Sequence, residues 1–183
     1  SFYRTGQVSE KGELDAIARA AELGIEAYWL DACWYGRVSP EVSWWQQVGD
    51  WRVRRDAFPN GLKPLGDAAH RAGMKFALWF EPERVRQEVP LASEHPEFLL
   101  RSAESQPHFG SGNLLLNLGL PEARAYITEQ ISGIIAESGV DIYRQDFNLD
   151  PLPYWQAADA ADRVGMTEIR HIEGLYAMWD ALR

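Results

Sequence analysis

The sequence predicts an α/β domain built on a parallel sheet. Three observations carry that prediction. One plan recurs three times along the chain, a helical stretch closed by glycine and followed by a short apolar strand. Each of those strands ends in an acid, and the segments between the units are long and rich in aromatic residues. Alternating helices and buried strands imply parallel pairing with right-handed crossovers. In such sheets functional groups gather beyond the carboxyl ends of the strands.

The first helix is predicted over about Gly12 to Leu23, with Leu14, Ile17, Ala18 and Ala21 on one face at helical spacing. Gly24 stops it, IEAYWL follows, and Asp31 ends the strand. The second runs from about Leu62 to Ala72, with Leu62, Leu65, Ala69 and Ala72 inward; Gly73 stops it, and MKFALWF leads to Glu81. The third begins near Pro121, a good first-turn residue. It carries Ile127, Ile131, Ile134 and Ile135 and stops at Gly139, after which VDIYRQ leads to Asp146. A polar linker, DAADRVGMTE, leads into a fourth helix over about Glu168 to Leu182.

Composition excludes several classes. The 183 residues suffice for one domain with a real core, and 46% hydrophobic with 25% charged residues is ordinary for a soluble globular chain. A net charge of -9 is the wrong sign for a nucleic-acid footprint. No window approaches the ~20 apolar residues of a membrane helix, and SFYRTGQVSE lacks the apolar core of a signal peptide. Cys33 is the single cysteine, so no internal disulfide forms, which favours a cytoplasmic setting. His70, His95, His108 and His171 are scattered without an HExxH pattern, and there is no GxSxG elbow. No metal and no cofactor is expected. The GxG of HFGSGN reads as a turn rather than a phosphate loop.

Carboxylate chemistry remains. Asp31, Glu81 and Asp146 all stand at strand ends, where each either belongs to a site or caps the next loop or helix. In YRQDFN, side-chain alternation puts Arg144, Asp146 and Asn148 on one face while the strand lasts. An arginine two residues from a carboxylate favours its ionised form, which suits a nucleophile and not a general acid. The segments Ala32 to Asn60 and Pro82 to Leu120 are longer than plain connectors, and loops of that length are usually functional. The first holds Trp34, Tyr35, Trp44, Trp45 and Trp51, whose rings suit either core packing or the apolar faces of sugars.

LDACWYG, GDW, FPNGLKPLGDAAH, GMKFALWFEPERV, HPE and YRQDFN, in this order, resemble the melibiase-type α-galactosidases of glycoside hydrolase family 36. The resemblance runs from about Gly24 to the last residue; DPLPYW and GMTEIRHIEGLY are similar to one bacterial branch. It implies a (β/α)8 TIM barrel and retaining hydrolysis of terminal α-galactosides through a covalent glycosyl-aspartate. It implies Asp146 as the nucleophile and Asp31, Trp79, Arg144 and Asn148 as sugar-binding side chains. The implied partner is an α-galactoside or related sugar, with no nucleic acid and no membrane; self-association of the full-length parent stays open.

The resemblance also implies that residues 1–183 are a partial barrel of about three to four βα units, inactive alone. The first strand, the later strands, the flanking β-domains and the acid/base aspartate would lie outside it. A retaining glycosidase needs that second carboxyl about 5–5.5 Å from the nucleophile. Glu81 and Glu83 match an EPE motif with a supporting role, and Asp150 before proline favours a turn. Three departures bear on the sugar: Ala32 where the family has a second aspartate, Arg144 where it has lysine, and Ser111 where it often has arginine. They point to an α-N-acetylgalactosaminidase or a galactosyl-transferring relative as alternatives. A non-catalytic carbohydrate-binding barrel and an unrelated barrel enzyme using Asp146 as a base are the others.

Overall fold

The computed structural model describes residues 8–39, 41–102 and 111–183. His108, with most of HFGSGN, and the N-terminal SFYRTGQ lie outside the described residues. The chain forms two compact units. The first comprises Ser1–Gln47, Trp51–Phe80 and Ser132–Asp146; the second comprises Val48–Asp50, Glu81–Ile131 and Phe147–Arg183.

The first unit holds the repeated plan. Helix α1 (Glu10–Glu22) precedes strand β1 (Ala27–Leu30), and α2 (Lys63–Arg71) precedes β2 (Lys75–Phe80). The last turns of α4 (Pro121–Ser138) precede β6 (Ile142–Gln145). The strands pair in parallel in the order β1-β2-β6, with Leu30 level with Leu78 and Trp79 level with Arg144. All three helices stop where the sequence predicts: Gly24, Gly73 and Gly139 adopt φ of 72°, 74° and 68°, the left-handed turn that glycine enters without a Cβ penalty. Helix α1 begins two residues before the predicted Gly12, because the Ser9 hydroxyl accepts the Gly12 N–H and caps it.

Two contacts fix the layers of this unit. Gly66 of α2 lies so close to the end of α4 that a Cβ there would stand 2.2 Å from the Ser138 carbonyl oxygen. At the amino ends of the strands, Asp141 accepts the Phe76 N–H at 2.8 Å and meets His70 Nε2 at 2.7 Å. The face of the sheet toward α1 carries Tyr28, whose hydroxyl donates to Glu13. The alternate face carries Trp29 and Ile142, which are 46% and 43% exposed.

The second unit corrects the sequence reading. Pro82 to Leu120 reads as a long loop, yet it folds into strands β3 (Arg84–Arg86), β4 (Leu99–Leu100) and β5 (Asn113–Leu116) with the short helix α3 (Pro90–Glu94). The strands form an antiparallel sheet in the order β3-β5-β4. Strands of two to four residues leave too little alternation to be seen in sequence. Helix α5 (Leu152–Ala158) replaces the turn expected at Asp150-Pro151, and α6 (Met166–Leu182) closes the chain. Leu115, Leu149, Tyr154 and Trp155 form a core cluster, with Leu100, Phe147 and Ile172 against it.

The segment read as a polar linker is a cap. Asp159 Oδ2 accepts the Gly165 N–H at 2.6 Å and Oδ1 accepts the Thr167 N–H at 3.0 Å, satisfying donors at the start of α6. Those bonds, Gly165 first, hold the Asp159 carboxyl below its ordinary range. A group whose folded pKa is depressed contributes stability above its unfolded pKa and loses it as pH falls through the folded value. The start of α6 is therefore expected to stay protected to about pH 4 and to fray below it. Amide exchange at Gly165 and Thr167 against pH reads this, and Asp159→Ala should fray the same amides at neutral pH.

Candidate active site at the carboxyl ends of the parallel strands

Parallel pairing places Asp31, after β1, and Asp146, after β6, at the same end of the sheet on either side of β2. The ladder extends one bond past β6, since the Asp146 N–H donates to the Phe80 carbonyl at 2.8 Å. Asp146 is thus held at strand geometry, and its side chain shares a face with Arg144 and Trp79.

Two donors grip the Asp146 carboxylate, one on each oxygen. Arg144 Nη1 lies 3.1 Å from Oδ1, and the Trp79 indole N–H donates to Oδ2 at 3.1 Å. Guanidinium and indole N–H groups only donate, so each requires its oxygen to accept. The arrangement presents an ionised, oriented carboxylate, while the side chain keeps 32% exposure to whatever approaches it. Arg144 is itself held from behind: its guanidinium lies 5.2 Å from the centroid of the Trp29 ring, a cation–π contact.

Trp79 differs from its sequence reading in one respect. Its place on the strand agrees with a role at this end, but its ring is not open. It is 2% exposed, stacked on Tyr35 at 5.9 Å with the planes 8° apart, and met edge-on by Trp44. The loop after β1 folds its aromatic residues over the strand end. Trp34, Tyr35 and Trp51 are buried, and the Trp34 indole N–H donates to the Trp79 carbonyl at 2.9 Å. Core packing therefore accounts for these three, and only Trp44 and Trp45 of the five keep partial exposure. The chain turns at Cys33 with φ 81°, a left-handed conformation uncommon outside glycine, and Arg54 donates to the Cys33 carbonyl. Asp31 is 9% exposed and its Oδ1 accepts the Ala32 N–H at 2.7 Å.

Asn148 belongs to the second unit. Its backbone N–H donates to Glu81 Oε1 at 2.6 Å. Glu81 is fully buried and bound twice by Arg84, Nε to Oε1 at 2.8 Å and Nη2 to Oε2 at 2.6 Å. The second glutamate of the EPE motif takes a different partner, since Glu83 Oε1 meets His171 Nε2 of α6 at 2.9 Å. Sequence reasoning gave this motif a supporting role without its partners; the partners are remote in sequence and no local pattern names them. Ser111 offers its carbonyl to Arg86, which also reaches Asn113 Oδ1 at 3.0 Å. Among the described residues, no group of three or more His, Cys, Asp or Glu side chains is arranged to hold a metal ion. No helix among them is long and apolar enough to cross a membrane.

Comparison with known proteins places this arrangement. Residues 8–183 match the Melibiase family profile. The α-galactosidase Mel36A of Lactobacillus acidophilus is 33% identical over 166 residues, covering 91% of this chain and 22% of that protein. The crystal structure of a variant of the family 36 α-galactosidase AgaA from Geobacillus stearothermophilus, in complex with raffinose, superposes with a TM-score of 0.78 at 30% identity, over 96% of this chain and 24% of that one. The α-galactosidase of Lactobacillus brevis gives a TM-score of 0.79 at 30% identity, over 96% and 23%. The chain thus spans about 22% of the length of the first curated relatives it matches. It belongs to the Melibiase family.

Proposed function

We propose that this chain carries the nucleophile-bearing portion of a retaining α-galactosidase site on part of a (β/α)8 barrel, with Asp146 attacking the anomeric carbon. The observation that carries the reading is the Asp146 carboxylate at the end of β6, held between Arg144 and the Trp79 N–H yet a third exposed. Those donors orient the attacking oxygen and stabilise its charge before reaction, so little reorganisation accompanies bond formation. Trp79 acts through its N–H rather than through a ring open to sugar. Asp31 accepts hydroxyl protons of the galactose and Asn148 binds the sugar from the other side of the nucleophile sequence. The acid/base carboxyl comes from outside these residues, so the chain alone does not turn over. Raffinose and stachyose occupy structures of the Geobacillus relative, and α-1,6-galactosides of that kind are the proposed substrates.

A glycine at position 146 tests the covalent step. In the full-length protein, Asp146→Gly removes the nucleophile and opens room for a small anion. Azide is expected to restore turnover of an activated α-galactoside and to yield the β-galactosyl azide, because a single displacement inverts once. An α-configured product, or no rescue in a variant that still binds galactose, would contradict the double displacement.

Ala32 and Arg144 favour a second reading on the same scaffold. Ala32 is fully buried where the family resemblance places a second sugar-binding acid, and a guanidinium is larger than an ammonium. An α-N-acetylgalactosaminide, with more bulk and one hydroxyl fewer, is the matching substrate. The ratio of kcat/KM on the two nitrophenyl glycosides decides between them.

A further inference from the structure

We infer that Glu81 is a positioning residue for Asn148: its buried carboxylate, locked by Arg84, pins the Asn148 backbone amide and so sets the direction in which the Asn148 side chain meets the sugar. The inference rests on the proposed sugar-binding role of Asn148.

Glu81 follows β2 directly and Arg84 opens β3, so both ends of the ion pair are anchored on strands. Both residues are fully buried. Burying a carboxylate is costly unless excellent geometry and further hydrogen bonds compensate. The two-point contact with Arg84 supplies the first, with Nε on Oε1 and Nη2 on Oε2. An ion pair that served stability alone would be complete at that stage. Here Oε1 takes a third donor, the Asn148 N–H at 2.6 Å, from a residue 67 positions away. The pinned residue stands just past the end of β6, where the ladder has stopped and nothing regular in the backbone holds the chain. A charged acceptor with no freedom of its own therefore fixes the peptide plane from which the Asn148 side chain departs. The second glutamate, Glu83, is turned to His171 instead, so the two carboxylates of the motif divide their work within this unit.

The test is a double-mutant cycle in the full-length protein, read as galactose affinity by calorimetry, with the folded fraction checked by circular dichroism. Glu81→Asp keeps the charge but withdraws the carboxylate by one methylene, so it cannot hold Arg84 and reach the Asn148 amide together. Galactose is expected to bind about tenfold more weakly to this variant, and less than about twofold more weakly when the change is made in an Asn148→Ala background. A role in stability alone would lower the unfolding temperature without that coupling. Should Glu81→Asp fail to fold, Arg84→Lys, which loosens the carboxylate without removing it, carries the same cycle with the same expectation. Equal losses in both backgrounds would overturn the positioning role and leave the site reading standing. An Asn148→Ala protein that binds galactose as tightly as the parent would overturn both.

Discussion

Asp146→Asn in the full-length protein is expected to lower hydrolysis of an α-galactoside by about 10⁴-fold or more while galactose still binds. The amide has the shape of the carboxylate but cannot form the glycosyl ester at a useful rate. The geometry adds a second cost. Arg144 takes one oxygen and the Trp79 N–H takes the other. An asparagine offers one acceptor and one donor, so its NH2 must face a donor whichever way it turns. The side chain would then rotate away from the attacking position or lose one contact. Single-turnover kinetics separates the chemical step from binding, and a variant within tenfold of the parent would remove Asp146 from the mechanism.

Gly174→Ala is expected to disturb the second unit severely. In the middle of a helix, glycine is less favourable than alanine by about 1 kcal/mol, so on propensity alone the change should help. Its surroundings reverse the sign. A Cβ at Gly174 would stand 2.0 Å from the Leu118 carbonyl oxygen and 2.5 Å from its carbon. Those are backbone atoms, and no rotamer change relieves the clash. Overpacking of that kind costs about 3 kcal/mol, which exceeds the propensity gain. Hydrogen exchange across α6 in the full-length protein should accelerate at least about tenfold. Unchanged protection would show that α6 moves off Leu118 at little cost.

The parallel sheet was legible because its signals are local and repeated. Apolar spacing gave the helices, and Gly24, Gly73 and Gly139 gave their ends within a residue or two. The acids at strand ends then followed from the fold class. Parity along YRQDFN put Arg144 beside Asp146, and parity along ALWF put Trp79 on the matching strand position. What parity could not give was which atoms of Trp79 face the site. That depends on Tyr35 and Trp44, brought over the ring by a loop whose course no periodicity encodes.

The antiparallel sheet escaped notice for a different reason. LLLN reads as an apolar run, but its partners are the three residues of β3 and the two of β4, each too short to show alternation. Gly174 likewise reads as a flaw in a good helix until Leu118 stands beside it. Glu81 and Glu83 look equivalent in EPERV, yet they bind Arg84 with Asn148 and His171 respectively. Side chains acquire such roles from long-range closure, and the sequence carries only the residue types that make it feasible.

Covalent trapping tests the central claim most directly. A fluorinated α-galactosyl reagent with a good leaving group slows release of the glycosyl-enzyme more than its formation, so the intermediate accumulates and can be digested and sequenced by mass spectrometry. The account predicts one added fluorogalactosyl group on the peptide containing YRQDFN, attached to Asp146 and lost from the Asp146→Asn protein. Attachment to any other residue, or turnover of the reagent without a covalent adduct, would contradict it.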